Sequence, residues 1–93
     1  MDSFPNFKDI QSALDRGDPH KVLQMVAQCK ATQGEQVALS YLEGKAYMKL
    51  SDWREAQNAF LKAEELQPGG PSKQCLEMLA DIMAFFNKDM YNQ

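Results

Sequence analysis

The chain has one histidine, two cysteines and no cluster of basic residues, and these scarcities exclude several functions at once. His20 stands near no obvious ligand, and with Cys29 and Cys75 it lacks the close Cys-x-x-Cys or His-x-x-x-His spacing of a zinc site. No metal and no cofactor is therefore expected, and His20 reads as an exposed surface residue. There is no run of about 18 apolar residues, so no membrane-spanning segment is expected. The beginning MDSFPNFKDI has no basic stretch followed by an apolar one, so no secretory signal is expected. The expected compartment is the cytoplasm. Two cysteines allow one disulfide, and a reduced pair of core or half-buried thiols is the reading preferred for that compartment.

Phosphate-binding and paired-acid chemistry are also lacking. Gly69-Gly70 follows no strand and precedes no Gly-Lys-Ser/Thr, so it reads as a loop. Glu64 and Glu65 are adjacent on a helical pattern and diverge, which suits a solvated face better than a catalytic pair. The formal charge of −3, with lysines and arginines scattered among acids, argues against a nucleic-acid partner. Alternating apolar-polar runs bounded by turn signals are absent, so no strands are expected. No enzyme constellation emerges, and the chain is expected not to be an enzyme.

What is present is helical periodicity over one small domain, 1–93. Ser3 and Pro5 suit a helix start, and Phe7, Ile10, Ala13 and Leu14 follow the i, i+3, i+4, i+7 rule to about Arg16. Gly17-Asp18-Pro19 combines a left-handed closing residue, an N-cap and a first-turn proline. Val22, Leu23, Met25, Val26 and Cys29 form the stripe of a second helix that fades by Thr32, with Gln33-Gly34-Glu35 as a loop. A third helix, from Glu35 or Gln36 to about Leu50, is apolar on more than one face and so belongs between neighbours. Ser51-Asp52, with Glu55 three residues on, begins a fourth helix over Trp53–Leu66. Pro68-Gly69-Gly70-Pro71 ends it. A fifth helix runs from about Ser72 to Phe86 or Asn87, followed by a frayed last turn or a tail, 88–93.

The chain also repeats itself. The breaks at Gly17-Asp18 and Ser51-Asp52 are 34 residues apart, and that shift carries Val22, Met25, Val26 and Cys29 onto Ala56, Ala59, Phe60 and Ala63. The best-patterned unit is VALSYLEGKAYMKLSDWREAQNAFLKAEELQP, Val37 to Pro68. Its Gly44, Tyr47, Ala56, Phe60, Ala63 and Pro68 stand at the spacings of the tetratricopeptide repeat, which this unit resembles. Glu43 stands where a leucine usually precedes the glycine. In the first unit Ile10, Ala13 and Gly34 replace the glycine, the aromatic and the proline. The ending NKDMYNQ also resembles that of small bacterial two-repeat proteins. The resemblance implies an all-α fold of about five helices, in antiparallel helix-turn-helix units forming a short right-handed superhelix. Unit one covers about 3–36, unit two about 37–70, and a capping helix about 71–87.

The resemblance further implies that the first helix of each unit lines a concave groove for a protein or peptide partner. Matching positions are Phe7, Gln11 and Asp15, then Tyr41, Lys45 and Lys49, then Cys75, Leu79 and Met83. Lys45 and Lys49 share one helix face with Tyr41 a turn earlier, a strip able to hold a carboxylate beside an apolar contact. The alternative is a pair of merely solvated lysines. The two-sided carboxylate clamp of some chaperone-binding members needs more Lys, Arg and Asn groups than Phe7, Gln11 and Cys75 supply. Phe85, Phe86, Met90 and Tyr91 extend beyond the inner stripe of the last helix. They either fold back as local core or form a surface for a partner or for a homodimer.

Overall fold

A computed structural model describes residues 7–29 and 33–91, with side chains over 7–29 and 35–85. These residues form five α-helices, and there is no strand among them: α1 Phe7–Asp15, α2 Pro19–Gln28, α3 Gln33–Lys49, α4 Trp53–Leu66 and α5 Pro71–Tyr91. The expected starts at Ser3 and Pro5 lie outside the described residues.

Three boundaries differ from expectation. The second helix stops at Gln28, where Cys29 turns extended (φ −78°, ψ 127°) and its N–H bonds to Val26 O. The segment expected as a loop, Gln33-Gly34-Glu35, is instead the first turn of α3. A helical glycine costs about 1 kcal/mol relative to alanine, which one position in a long, well-packed helix can absorb. The segment from Lys88, expected as a frayed last turn or a tail, is helical as far as Tyr91. After Pro71 the chain has no glycine or proline to stop the helix.

The 34-residue period is written into the backbone of the two interhelical turns. Gly17 N donates to Leu14 O and Asp18 N to Ala13 O (3.0 and 3.1 Å). In the second turn, Ser51 N donates to Met48 O and Asp52 N to Tyr47 O (3.0 and 2.9 Å). Each turn has its first residue in the left-handed region, Gly17 at φ 78° and Ser51 at φ 60°. Each then hands over to an aspartate N-cap: Asp18 accepts from Lys21 N at 3.3 Å and Asp52 from Glu55 N at 3.4 Å. These caps satisfy N–H groups that a helix start leaves without partners. The two turns are therefore the same device used twice.

Packing follows from these turns. α3 touches α1, α2 and α4, and α4 carries α5. Of the α3 side chains from Glu35 onward, only Glu35 and Lys49 are exposed, so α3 is sandwiched as its apolar girth implied. One core joins Ile10, Ala13, Leu14 and Val22 to Leu39, Leu42 and Ala46. Leu23, Met25, Val26 and Cys29 pack half-buried against it. A second core gathers Ala56 and Phe60 of α4 with Cys75 and Leu79 of α5. Tyr41 packs against both, linking them through the middle of α3.

The close approach of α3 to α4 depends on a missing side chain. A Cβ on Gly44 would lie 2.5 to 2.7 Å from three atoms of the Phe60 ring. Ala56, Ala59 and Ala63 are likewise buried on α4, small enough to let the two helices meet. Cys29 and Cys75 are both free thiols, and they pack in different cores.

Candidate functional site

α1 and α3 run side by side and leave an open cleft of about 440 Å³ between them. It is lined by Gln11, Leu14 and Asp15 of α1 and by Tyr41, Lys45 and Lys49 of α3. Residues four apart on a helix stand one above the other on a single face, so each wall is a strip of successive turns. The strips correspond at the 34-residue period, because Gln11 and Asp15 shift onto Lys45 and Lys49.

The α1 wall offers acceptors. Gln11 Nε2 donates to Asp15 Oδ1 at 3.1 Å, which ties the amide to the carboxylate. Leu14, 5% exposed, belongs to the first core and supplies the apolar part of the lining. The α3 wall offers cations. Lys45 Nζ sits 5.8 Å from the centre of the Tyr41 ring, within cation–π range. The Tyr41 ring in turn meets Phe60 at 6.0 Å between centroids, tilted by 55°. Tyr41 is thus held from below by the core and from above by Lys45. Lys49, at the end of α3, is exposed.

Of the residues expected to form a groove, Gln11, Asp15, Tyr41, Lys45 and Lys49 share this cleft. Phe7, 47% exposed at the start of α1, lies outside its lining. The third set is different. Cys75 and Leu79 are 7% and 0% exposed in the second core, so Leu79 is a core residue with no surface to give a partner. Met83 is half-buried against the same core. The face of α5 that matches the groove strip is the face that α5 turns onto α4. Leu14 is the cleft residue that sequence reasoning assigned only to the core. Its place beside Gln11 and Asp15 on α1 was the available signal.

On α5, Phe85 is 75% and Met78 46% exposed. The side chains of Phe86, Met90 and Tyr91 lie outside the described residues. His20 is exposed in the first turn of α2. Glu64 departs from expectation. It is half-buried, its Oε2 accepts the Gly69 N–H at 2.9 Å, and its Oε1 is buried without a hydrogen-bond partner. It closes the turn after α4 instead of facing water, while Glu65 is exposed.

A second cluster of charge lies along the α3–α4 seam. Burial pushes the half-buried Glu43 carboxyl above its usual range; Lys62 opposes this, and Glu55 adds to it. Burial, followed by the negative charges of Glu43, Glu55 and Asp52, raises the Tyr47 hydroxyl in the same way. Leu42, next to Glu43 in sequence, is fully buried.

Among the described residues, no group of three or more His, Cys, Asp or Glu side chains could hold a metal ion, and no helix is long and apolar enough to cross a membrane. No family model, curated protein or solved structure matches the chain, so the site rests on its own geometry.

Proposed function

We propose that this chain is a non-catalytic protein-interaction module of the tetratricopeptide type, acting in the cytoplasm and docking a peptide or helix in the cleft between α1 and α3. The observation that carries the reading is the convergence of Gln11, Tyr41, Lys45 and Lys49 on one open cleft. The duplicated turn supports the repeat assignment, since both turns use the same hydrogen bonds and the same aspartate cap. The free thiols of Cys29 and Cys75 suit a reducing compartment. A net charge of −3 favours protein over nucleic acid as partner.

The test is affinity capture with the intact chain, followed by binding measurements on the recovered partner with Lys45→Glu and Lys49→Glu together. The expected result is a loss of at least tenfold in affinity, as for charged groups inside an interface. Unchanged affinity would overturn the cleft assignment.

A second reading, a homodimer formed through α5, is favoured by one observation. α5 has 21 residues against the 14 of α4 that it packs on, and it shows Met78 and Phe85 to solvent. Sedimentation of the chain against Met78→Glu/Phe85→Glu separates the readings. A monomer at high concentration in both samples excludes self-assembly.

A further inference from the structure

We propose that the α1–α3 cleft selects an extended peptide carrying one carboxylate close to a cationic side chain, and that it rejects runs of acidic residues; this deepens, and rests on, the docking function proposed above.

The argument starts from the two walls. Lys45 and Lys49 stand one turn apart on α3 and both line the cleft, so two ammonium groups serve the same wall. A carboxylate entering between them meets two donors, one of which, Lys45, already lies over the Tyr41 ring. Asp15 stands on the opposite wall of the same cleft. Its Oδ1 already accepts Gln11 Nε2, but an ionised carboxylate has about four acceptor sites, so capacity remains for a further donor. The cleft is thus positive along α3 and negative along α1.

A second acid on the ligand would be set beside Asp15, and like charges brought together in an interface are penalised. A guanidinium or ammonium at that point would meet Asp15 as an opposite charge. Arginine fits best, since its planar fork can take a carboxylate through two bonds. Size supports an extended occupant. About 440 Å³ is in the lower part of the range for ligand clefts, which suits a short extended segment presenting a pair of side chains. Tyr41 and Leu14 supply the apolar contact between the two poles.

The experiment uses the full chain, isotopically labelled, and three hexapeptides blocked at both ends. The first carries one glutamate with an arginine two residues on, the second replaces that arginine with alanine, and the third replaces it with glutamate. Affinities come from titrations that follow the backbone amides of Asp15, Tyr41, Lys45 and Lys49. The glutamate–arginine peptide is expected to bind at least about tenfold more tightly than the doubly acidic one, with the alanine peptide between them. In Asp15→Asn, an exposed position, that discrimination is expected to shrink to about twofold or less. Equal or tighter binding of the doubly acidic peptide by the unaltered chain would overturn the inference while leaving the docking function standing. Discrimination that survives Asp15→Asn would overturn it too, because another group would then be its source. If none of the peptides moves those amides at millimolar concentration, the inference and the cleft assignment both fall.

Discussion

The Phe60 ring of α4 occupies the space that a β-carbon on residue 44 of α3 would need, at 2.5 to 2.7 Å from three ring atoms. Phe60 is fully buried and lies at the centre of the second core, in contact with Tyr41. A ring enclosed on all sides cannot swing away as the end of a long side chain would. Gly44→Ala therefore forces α3 and α4 apart or the ring off its rotamer, at a cost of about 1–3 kcal/mol. The gain in helix propensity offsets part of this, by about 1 kcal/mol. Urea denaturation is expected to show net destabilisation. In a Phe60→Leu background the same alanine is expected to cost less, and that coupling in a double-mutant cycle separates a packing clash from a backbone effect.

The paired turns give a second prediction, in which the two units act as controls for each other. Gly17 and Ser51 hold the same place and both have positive φ, but only Ser51 carries a β-carbon there. The left-handed region costs a residue with a side chain roughly 1–2 kcal/mol, less the roughly 0.5–1 kcal/mol of extra freedom that glycine has when unfolded. Ser51→Gly is expected to raise stability by about 0.5–1 kcal/mol. Gly17→Ala is expected to lower it by a similar amount. A β-carbon at Gly17 meets nothing within 4 Å, so that loss would be conformational and not steric. Opposite signs for the two changes, read as denaturant midpoints, are the outcome sought. Equal signs would dissolve the equivalence of the turns.

Glu43 yields a prediction in pH. Its carboxyl is raised above 4.5 in the folded chain, chiefly by burial, so the folded state holds this proton more tightly than the unfolded one. Stability from this group is therefore highest at low pH and falls as pH rises through the window between 4.5 and the raised folded value. Glu43→Gln removes the charge whose burial is unfavourable. It is expected to raise the melting temperature at pH 7, with the advantage shrinking as pH falls through that window and gone below it. An advantage that does not vary with pH would assign the effect to packing.

How much of this was legible in the sequence depends on what each element had to specify locally. Asp18 and Asp52, with their flanking turn residues, announce both caps and the 34-residue period because capping is decided within a few residues. That Gln11, Asp15, Lys45 and Lys49 would line one cleft was legible from the same period, which carries Gln11 and Asp15 onto Lys45 and Lys49. The period misled at α5. Cys75, Leu79 and Met83 continue the groove register, but their apolar character sends them onto α4, and a one-dimensional shift does not say which neighbour a terminal helix lacks. The start of α3 was missed because Gly34 reads as punctuation, whereas three neighbouring helices hold that long helix together. Glu64 was missed because its partner is a backbone N–H in the next turn, a contact that exists only once Gly69 adopts φ 83°.

Tyr41 supplies the last prediction, because it ties the cleft to both cores. Its ring lies between Phe60 at 6.0 Å and the Lys45 ammonium at 5.8 Å. An aromatic pair contributes roughly 0.5–1.5 kcal/mol beyond burial. A cation over a partly exposed ring adds about 0.5–1 kcal/mol. Tyr41→Leu keeps an apolar side chain but removes both terms, so a loss of roughly 1–2 kcal/mol is expected in denaturation. Lys45→Met keeps the ring pair and most of the aliphatic stem, and is expected to cost less than about 1 kcal/mol. The two changes should not add, because the second has no ring to act on once the first is made. In the double variant the loss is expected to match Tyr41→Leu alone within about 0.5 kcal/mol. Full additivity would mean that Lys45 is not held by the ring, and that its place in the cleft is set by solvent instead of by Tyr41.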